Sequence, residues 1–292
     1  MNFLLNFMGL NIVGQENKIS ILSSEFWKRE WKNAVQNSTV SRRNYDDIKW
    51  IRFWDLMSEY YEVPDELPIS IIETFIKEGI INKKSKVLDI GCGVGTFTIP
   101  LSKKTKHVVA LDPSKKMLEK LFQKIKQLKI KNITLVNSKF EDFEEIKKFD
   151  FVLAAFCPVI NNVELLLKMK YLSKKYACLI TYAKLDMFNL KIRNRLWKEL
   201  TGKPFISRSF HIIYPFNFLY SLGFRPQLKR LIYNYIIERD FESMLLQFET
   251  YFNIFIEINI EHRKVIEKFL KNFVKDCKFI FKNKYEIYLM WW

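Results

Sequence analysis

Two carboxylates and three glycines fall at spacings that suit a small ligand carrying positive charge. The segment Asp89-Ile90-Gly91-Cys92-Gly93-Val94-Gly95 follows an apolar run, Lys86 to Ile90, and precedes the helix-like stretch TFTIPLSKK. Glycines there permit a tight turn and let a ligand approach the backbone closely. A dinucleotide fingerprint needs its third glycine at position 96, where Thr96 stands. Asp89, two residues ahead of Gly91, also suits a pyrophosphate badly, and a carboxylate at that point favours a cationic group. A second acid, Asp112, closes the next apolar run, VVALD, 23 residues after Asp89. In nucleotide sites an acid about 20 residues beyond the turn binds ribose hydroxyls.

Other chemistry-bearing residues are sparse. Cys92, Cys157, Cys178 and Cys277 form no CxxC pair, and only three histidines exist, so no metal site is expected. Cys157 reads as a small buried apolar residue, with substrate contact as the second reading. His211 falls in a loop as a capping or surface histidine, or else a base. The aromatic stripe Trp50, Trp54, Met57 and Tyr61 is helically spaced and reads as core packing. In the alternative, Trp54 or Tyr61 closes a pocket.

The elements that must position these residues alternate. Residues 19 to 62 read as helices, Pro64 and Pro68 break the pattern, and a helix is expected over Ile71 to Ile80. Strands follow at Lys86 to Ile90, Val108 to Leu111, Ile133 to Val136, Phe151 to Phe156 and Ala177 to Tyr182, the first four separated by turn or helical stretches. That alternation implies a parallel sheet covered on both faces. Helices are expected at Leu185 to Leu200, Pro215 to Leu222, 241 to 253 and 260 to 276. A sixth strand is expected over Leu228 to Ile237, and KYEIYLMWW reads as a seventh.

VLDIGCGVGTF, followed by VVALDP, resembles the S-adenosylmethionine (SAM)-dependent methyltransferases of class I. The resemblance implies an α/β Rossmann-like fold: a seven-stranded, mostly parallel sheet with helices on both faces, its last strand antiparallel between the fifth and sixth. Here a helical N-terminal cap (1–65) precedes the SAM-binding domain (66–292), which carries a helical insertion at about 240–280. By the same resemblance Asp89, Gly91, Cys92, Gly93 and Gly95 hold the methionine and adenosine parts of the cofactor. Asp112 and Pro113 take the ribose, and Phe140, Glu141 and Asp142 border the adenine. Ala155 closes the fourth strand over the ligand, with Tyr61 as an added wall. The usual Gly-Asp start of the adenine loop is missing, since Asn137 and Ser138 stand there. No NPPY-like motif follows the fourth strand, where FCPV is found, which argues against methylation of adenine amino groups.

Size and charge bound the rest. The chain has 292 residues, 49% of them hydrophobic, enough for a large core without disulfides. The apolar start MNFLLNFMGLNIVG lacks a basic leader and is too short to span a bilayer, so a cytoplasmic protein with no membrane partner is expected. The net charge of +16 comes from 37 lysines and 11 arginines. Selected phosphate contacts favour arginine, and the lysine excess fits an AT-rich coding bias. A small-molecule or protein acceptor is therefore preferred over nucleic acid. RNA methylation, or SAM binding without catalysis, are the alternatives.

Overall fold

The computed structural model describes residues 20–39, 47–61, 63, 65–145, 148–184, 188–206, 211–274 and 278–292. The apolar N-terminal stretch, Pro64 and Cys277 lie outside the described residues.

Helices α1 (Ser24–Gln36), α2 (Asp47–Met57) and α3 (Glu66–Lys77) come first. Strand β1 (Lys86–Ile90) and the short helix α4 (Thr98–Ser102) follow. Then come β2 (His107–Asp112), α5 (Lys115–Gln127), β3 (Ile133–Asn137), β4 (Phe149–Ala155), α6 (Val163–Leu172) and β5 (Ser173–Lys184). The second half holds α7 (Phe188–Thr201), α8 (Ile213–Ser221), β6 (Gln227–Asp240), α9 (Phe241–Asn253), α10 (Ile260–Lys271) and β7 (Lys278–Trp291). The strand order is β3-β2-β1-β4-β5-β7-β6. Strands β1 to β5 are parallel, and β7 runs antiparallel to both β5 and β6. This is the Rossmann-like sheet that the resemblance implied, including the place of β7.

The strands are apolar on both sides because both sides are covered. Leu88, Ile90, Val152, Ala154, Leu179, Met290 and Trp292 face one core, packed with α1, α6 and α8 residues such as Trp31, Leu166 and Phe218. Val87, Phe151, Leu153, Ile180, Ile287, Leu289 and Trp291 face the other, where α3 supplies Ile71, Ile72 and Phe75. Alternate residues of one strand thus feed opposite cores, as the pleat dictates.

Two expectations are corrected here. Pro68 does not break a helix: α3 begins at Glu66 and takes Pro68 in its first turn, where the missing N–H has no partner to lose. Strands β6 and β7 run longer than their apolar patterns, pairing from Gln227 with Trp291 to Asp240 with Lys278. Residues 278–285 of β7 pair with β6 alone, beyond the reach of β5. The sequence of this two-stranded ribbon is interrupted by polar residues such as Asn234, which is exposed, and this hid the extension. The ribbon leads into a separate helical cluster, in which Leu196 and Trp197 of α7, Phe248 and Phe252 of α9, Ile266 and Leu270 of α10 and Phe279 of β7 pack together.

Candidate cofactor site

The glycine turn is built on β2. Gly91 and Cys92 both donate their N–H groups to Leu111 O, at 2.8 and 3.1 Å. Gly91 has φ +67, and a side chain there would overlap Cys157 Sγ at the end of β4. Gly93 differs. Its φ is +53, but a Cβ would meet only Met117 Sδ, at 3.9 Å, so the space beside it is open cavity. A side chain on Gly95 would run into Leu121 of α5, which makes it a packing glycine that does not line the cavity.

Asp89 and Asp112 end their strands on either side of this turn, both almost fully buried. Thr98 Oγ1 donates to Asp89 Oδ2 at 2.6 Å. Burial nevertheless pushes the Asp89 carboxyl up to about 7, with the negative field of Asp112 adding to the rise and the Thr98 bond opposing it. Asp112 Oδ2 accepts the N–H of Gly93, and Oδ1 that of Ser114, each at 2.9 Å. Burial carries its carboxyl up to about 6 against these two bonds, with Asp55 contributing to the rise. Among the described residues no lysine or arginine forms an ion pair with either acid.

The cavity around them has a volume of about 310 Å³. Of the residues expected at the site, Asp89, Gly91, Cys92, Gly93, Asp112, Pro113, Phe140, Glu141, Ala155 and Tyr61 line it. Gly95 and Asp142 do not. Asp142 is exposed in a turn, its N–H on Lys139 O at 3.2 Å, and its side chain faces solvent instead of the cavity. Lys168 of α6 fixes the loop after β3. Its ammonium donates to Phe140 O and Glu141 O at 2.7 and 2.8 Å and lies 5.1 Å from the Phe140 ring centroid.

Several lining residues escaped the sequence reading. Trp50 and Ile51 reach the cavity from α2, Val35 from α1, and Thr96 and Phe97 from the turn before α4. Phe156 follows β4 with φ +53, a conformation that costs a non-glycine residue of order 1 kcal/mol or more. Its N–H on Ile180 O (2.9 Å) and its ring against Tyr182, 4.7 Å between centroids, hold it there. No local sequence signal announces that backbone state. Trp54 does line the cavity, while also packing on Phe53 and Tyr61, so both readings of the stripe apply to it. Cys157 lines the cavity too, but burial pushes its thiol up to about 12; it stays protonated at neutral pH and cannot serve as a thiolate nucleophile. His211 is no lining residue, and its Nδ1 accepts the Ile213 N–H at 3.2 Å, as a cap of α8.

Residues 87–195 match a family described as a methyltransferase domain, across β1 to β5 and the start of α7. The strand order and the acid-glycine turn agree with that match. Over that stretch the chain is similar to the SAM-dependent methyltransferases of class I. An uncharacterised protein of Haemophilus influenzae is 27% identical over 184 residues, 62% of this chain and 63% of that protein. A carboxy-S-adenosyl-L-methionine synthase of Helicobacter pylori is 31% identical over 150 residues, 48% of this chain and 61% of that protein. A 23S rRNA (uracil(1939)-C(5))-methyltransferase of Haemophilus influenzae is 27% identical over 105 residues, 34% of this chain and 24% of that enzyme. The chain thus spans less than two thirds of each of these relatives. The site's chemistry suits this methyltransferase cofactor. Two buried carboxylates with no cationic partner among the described residues match a ligand with an ammonium, a sulfonium and ribose hydroxyls, and they would repel a pyrophosphate.

Proposed function

We propose that this protein transfers the sulfonium methyl group of SAM to a neutral or weakly charged small-molecule or protein acceptor in the cytoplasm. The pair Asp89 and Asp112, buried beside the glycine turn and, among the described residues, unmatched by any lysine or arginine ion pair, is the observation that carries this reading. Each carboxylate oxygen has lone pairs beyond those its protein partners use, so Asp112 can accept from two hydroxyls while Gly93 and Ser114 hold it still. Phe140 and Glu141 are assigned to the adenine, with Lys168 fixing their loop. When bound, the cofactor supplies an already activated methyl on a good leaving group. The protein's own contribution is then to bind, align and exclude water. Trp50, Trp54, Tyr61, Phe97 and Phe156 do the excluding. We assign 1–65 to a cap over the SAM-binding domain 66–292, with α9 and α10 as its insertion.

Among the described residues no helix is long and apolar enough to cross a membrane. The free thiols of Cys92, Cys157 and Cys178 fit a reducing compartment. An RNA acceptor is the second reading, favoured by the net charge of +16. Comparing methylated metabolites, proteins and RNA in cells with and without the gene separates the readings. A metabolite or protein methylation lost with the gene supports the first. A lost ribosomal or transfer RNA methylation supports the second, and no loss in any class contradicts catalysis.

A further inference from the structure

Asp55 of helix α2 is hydrogen-bonded to the cofactor loop. Ser114 caps α5 by accepting the Met117 N–H on its Oγ at 3.1 Å, while its own N–H holds Asp112 Oδ1. The hydroxyl proton of Ser114 is committed elsewhere: it goes to Asp55 Oδ1 at 2.6 Å, across 59 residues of chain. The same oxygen accepts the N–H of Lys116 at 3.3 Å. Asp55 thus places a carboxylate at the N-terminus of a 13-residue helix, where the aligned peptide dipoles favour negative charge. It does so on the residue that orients the proposed ribose acid.

The side of α2 beside Asp55 supplies cavity wall. Trp50, Ile51 and Trp54 all line the cavity. The helix is bedded on aromatic and apolar residues: Phe53 and Met57 pack with Val94, Met117 and Ile254, and Trp50 and Trp54 are partly buried against the same cluster. Just past the end of α2, Glu59 pairs with Lys120 of α5, but these side chains are 57% and 42% exposed and the pair holds little. The bond from Ser114 to Asp55 is a charge-assisted link between the two helices.

We infer that α2 is an aromatic lid on the cofactor cavity and that Asp55, latched on Ser114, is the positioning residue that keeps it closed. The inference rests on the cavity being the SAM site. A ligand that needs the closed lid has its apparent affinity reduced by whatever fraction of the protein is open, so loosening the latch weakens binding without touching the ligand.

Calorimetry with S-adenosylhomocysteine and hydrogen exchange over residues 47–57 test this. The wild-type protein should bind. Asp55→Ala should raise Kd about tenfold, the loss of one charge-assisted bond, and should speed exchange of α2 amides in the free protein. Asp55→Asn keeps an oxygen for Ser114 and should restore Kd to within about threefold of wild type. A purely structural role would lower the melting temperature in proportion and show no such rescue of affinity. If Asp55→Ala does not fold, Ser114→Ala removes the same bond from the other side and is read by the same two measurements. Unchanged affinity and unchanged α2 exchange in the folded variant would overturn the latch. A wild-type protein that does not bind the probe at all overturns the cofactor reading instead.

Discussion

At the scale of single residues the site is a problem of buried charge. Burial raises Asp89 to about 7 and Asp112 to about 6, from an ordinary value of 3.8. Folding therefore takes up protons between about pH 4 and 7. By linkage, these two groups stabilise the ligand-free protein at low pH, and that contribution is lost as pH rises through 6 and 7. Cofactor binding has the opposite sign, because a cationic ligand needs both acids ionised. Affinity for SAM should climb from pH 5 to about 7.5 and then level off, with proton release on binding near pH 6.5. Titrations in buffers of different ionisation enthalpy measure this, and a flat profile would remove Asp89 and Asp112 from the binding account. Asp112→Ala should weaken binding roughly ten- to hundredfold, the range of lost charge-assisted bonds. It should also lower the melting temperature by several degrees, because Gly93 and Ser114 lose the acceptor that holds their loop. A melt unchanged beside a large loss of affinity would show that the loop stands without it.

At the scale of elements the C-terminal strand is part of both cores. Trp292 exchanges backbone hydrogen bonds with Ala177, each at 3.1 Å, and Leu289, Met290, Trp291 and Trp292 are all buried. Their alternation between the two faces of the sheet was legible in the sequence as a strand apolar on both sides. Four such side chains, at about 1.5 to 3 kcal/mol each, match a typical total stability of roughly 5 to 15 kcal/mol. A chain shortened to end at Tyr288 should be insoluble or lack a cooperative melt, and a soluble product melting within a few degrees of the full chain would contradict this. Strands β1 to β5 were legible for the same reason: continuous apolar runs bounded by turns have few alternatives in an α/β chain. The outer halves of β6 and β7 were not, because a two-stranded ribbon needs no apolar pattern to pair. The glycine turn and Asp112 were readable because local spacing sets their geometry. Trp50 and Phe97 were not, since only tertiary packing brings α2 and the turn before α4 over the turn.

At the scale of the whole molecule two charge patterns coexist. The surface is strongly basic, while the cavity is lined by Asp89, Asp112 and Glu141 against Lys139. A polyanion can meet the outside of this protein, but the inside of the cavity offers it little. RNA binding should accordingly be weak, insensitive to sequence and lost steeply with salt. Filter binding at about 0.15 M salt, where exposed charges are screened beyond about 8 Å, decides it: nanomolar, sequence-selective retention of a ribosomal or transfer RNA would favour the RNA acceptor. The account as a whole depends on the cavity holding SAM, and Gly93 gives the sharpest test. A Cβ there would meet only Met117 Sδ, at 3.9 Å, and would project into the cavity, at the cost of backbone strain from φ +53. Calorimetry with SAM should show micromolar binding to the wild-type protein and none to a folded Gly93→Val variant; equal affinity in the two, or no binding to the wild type, would contradict it.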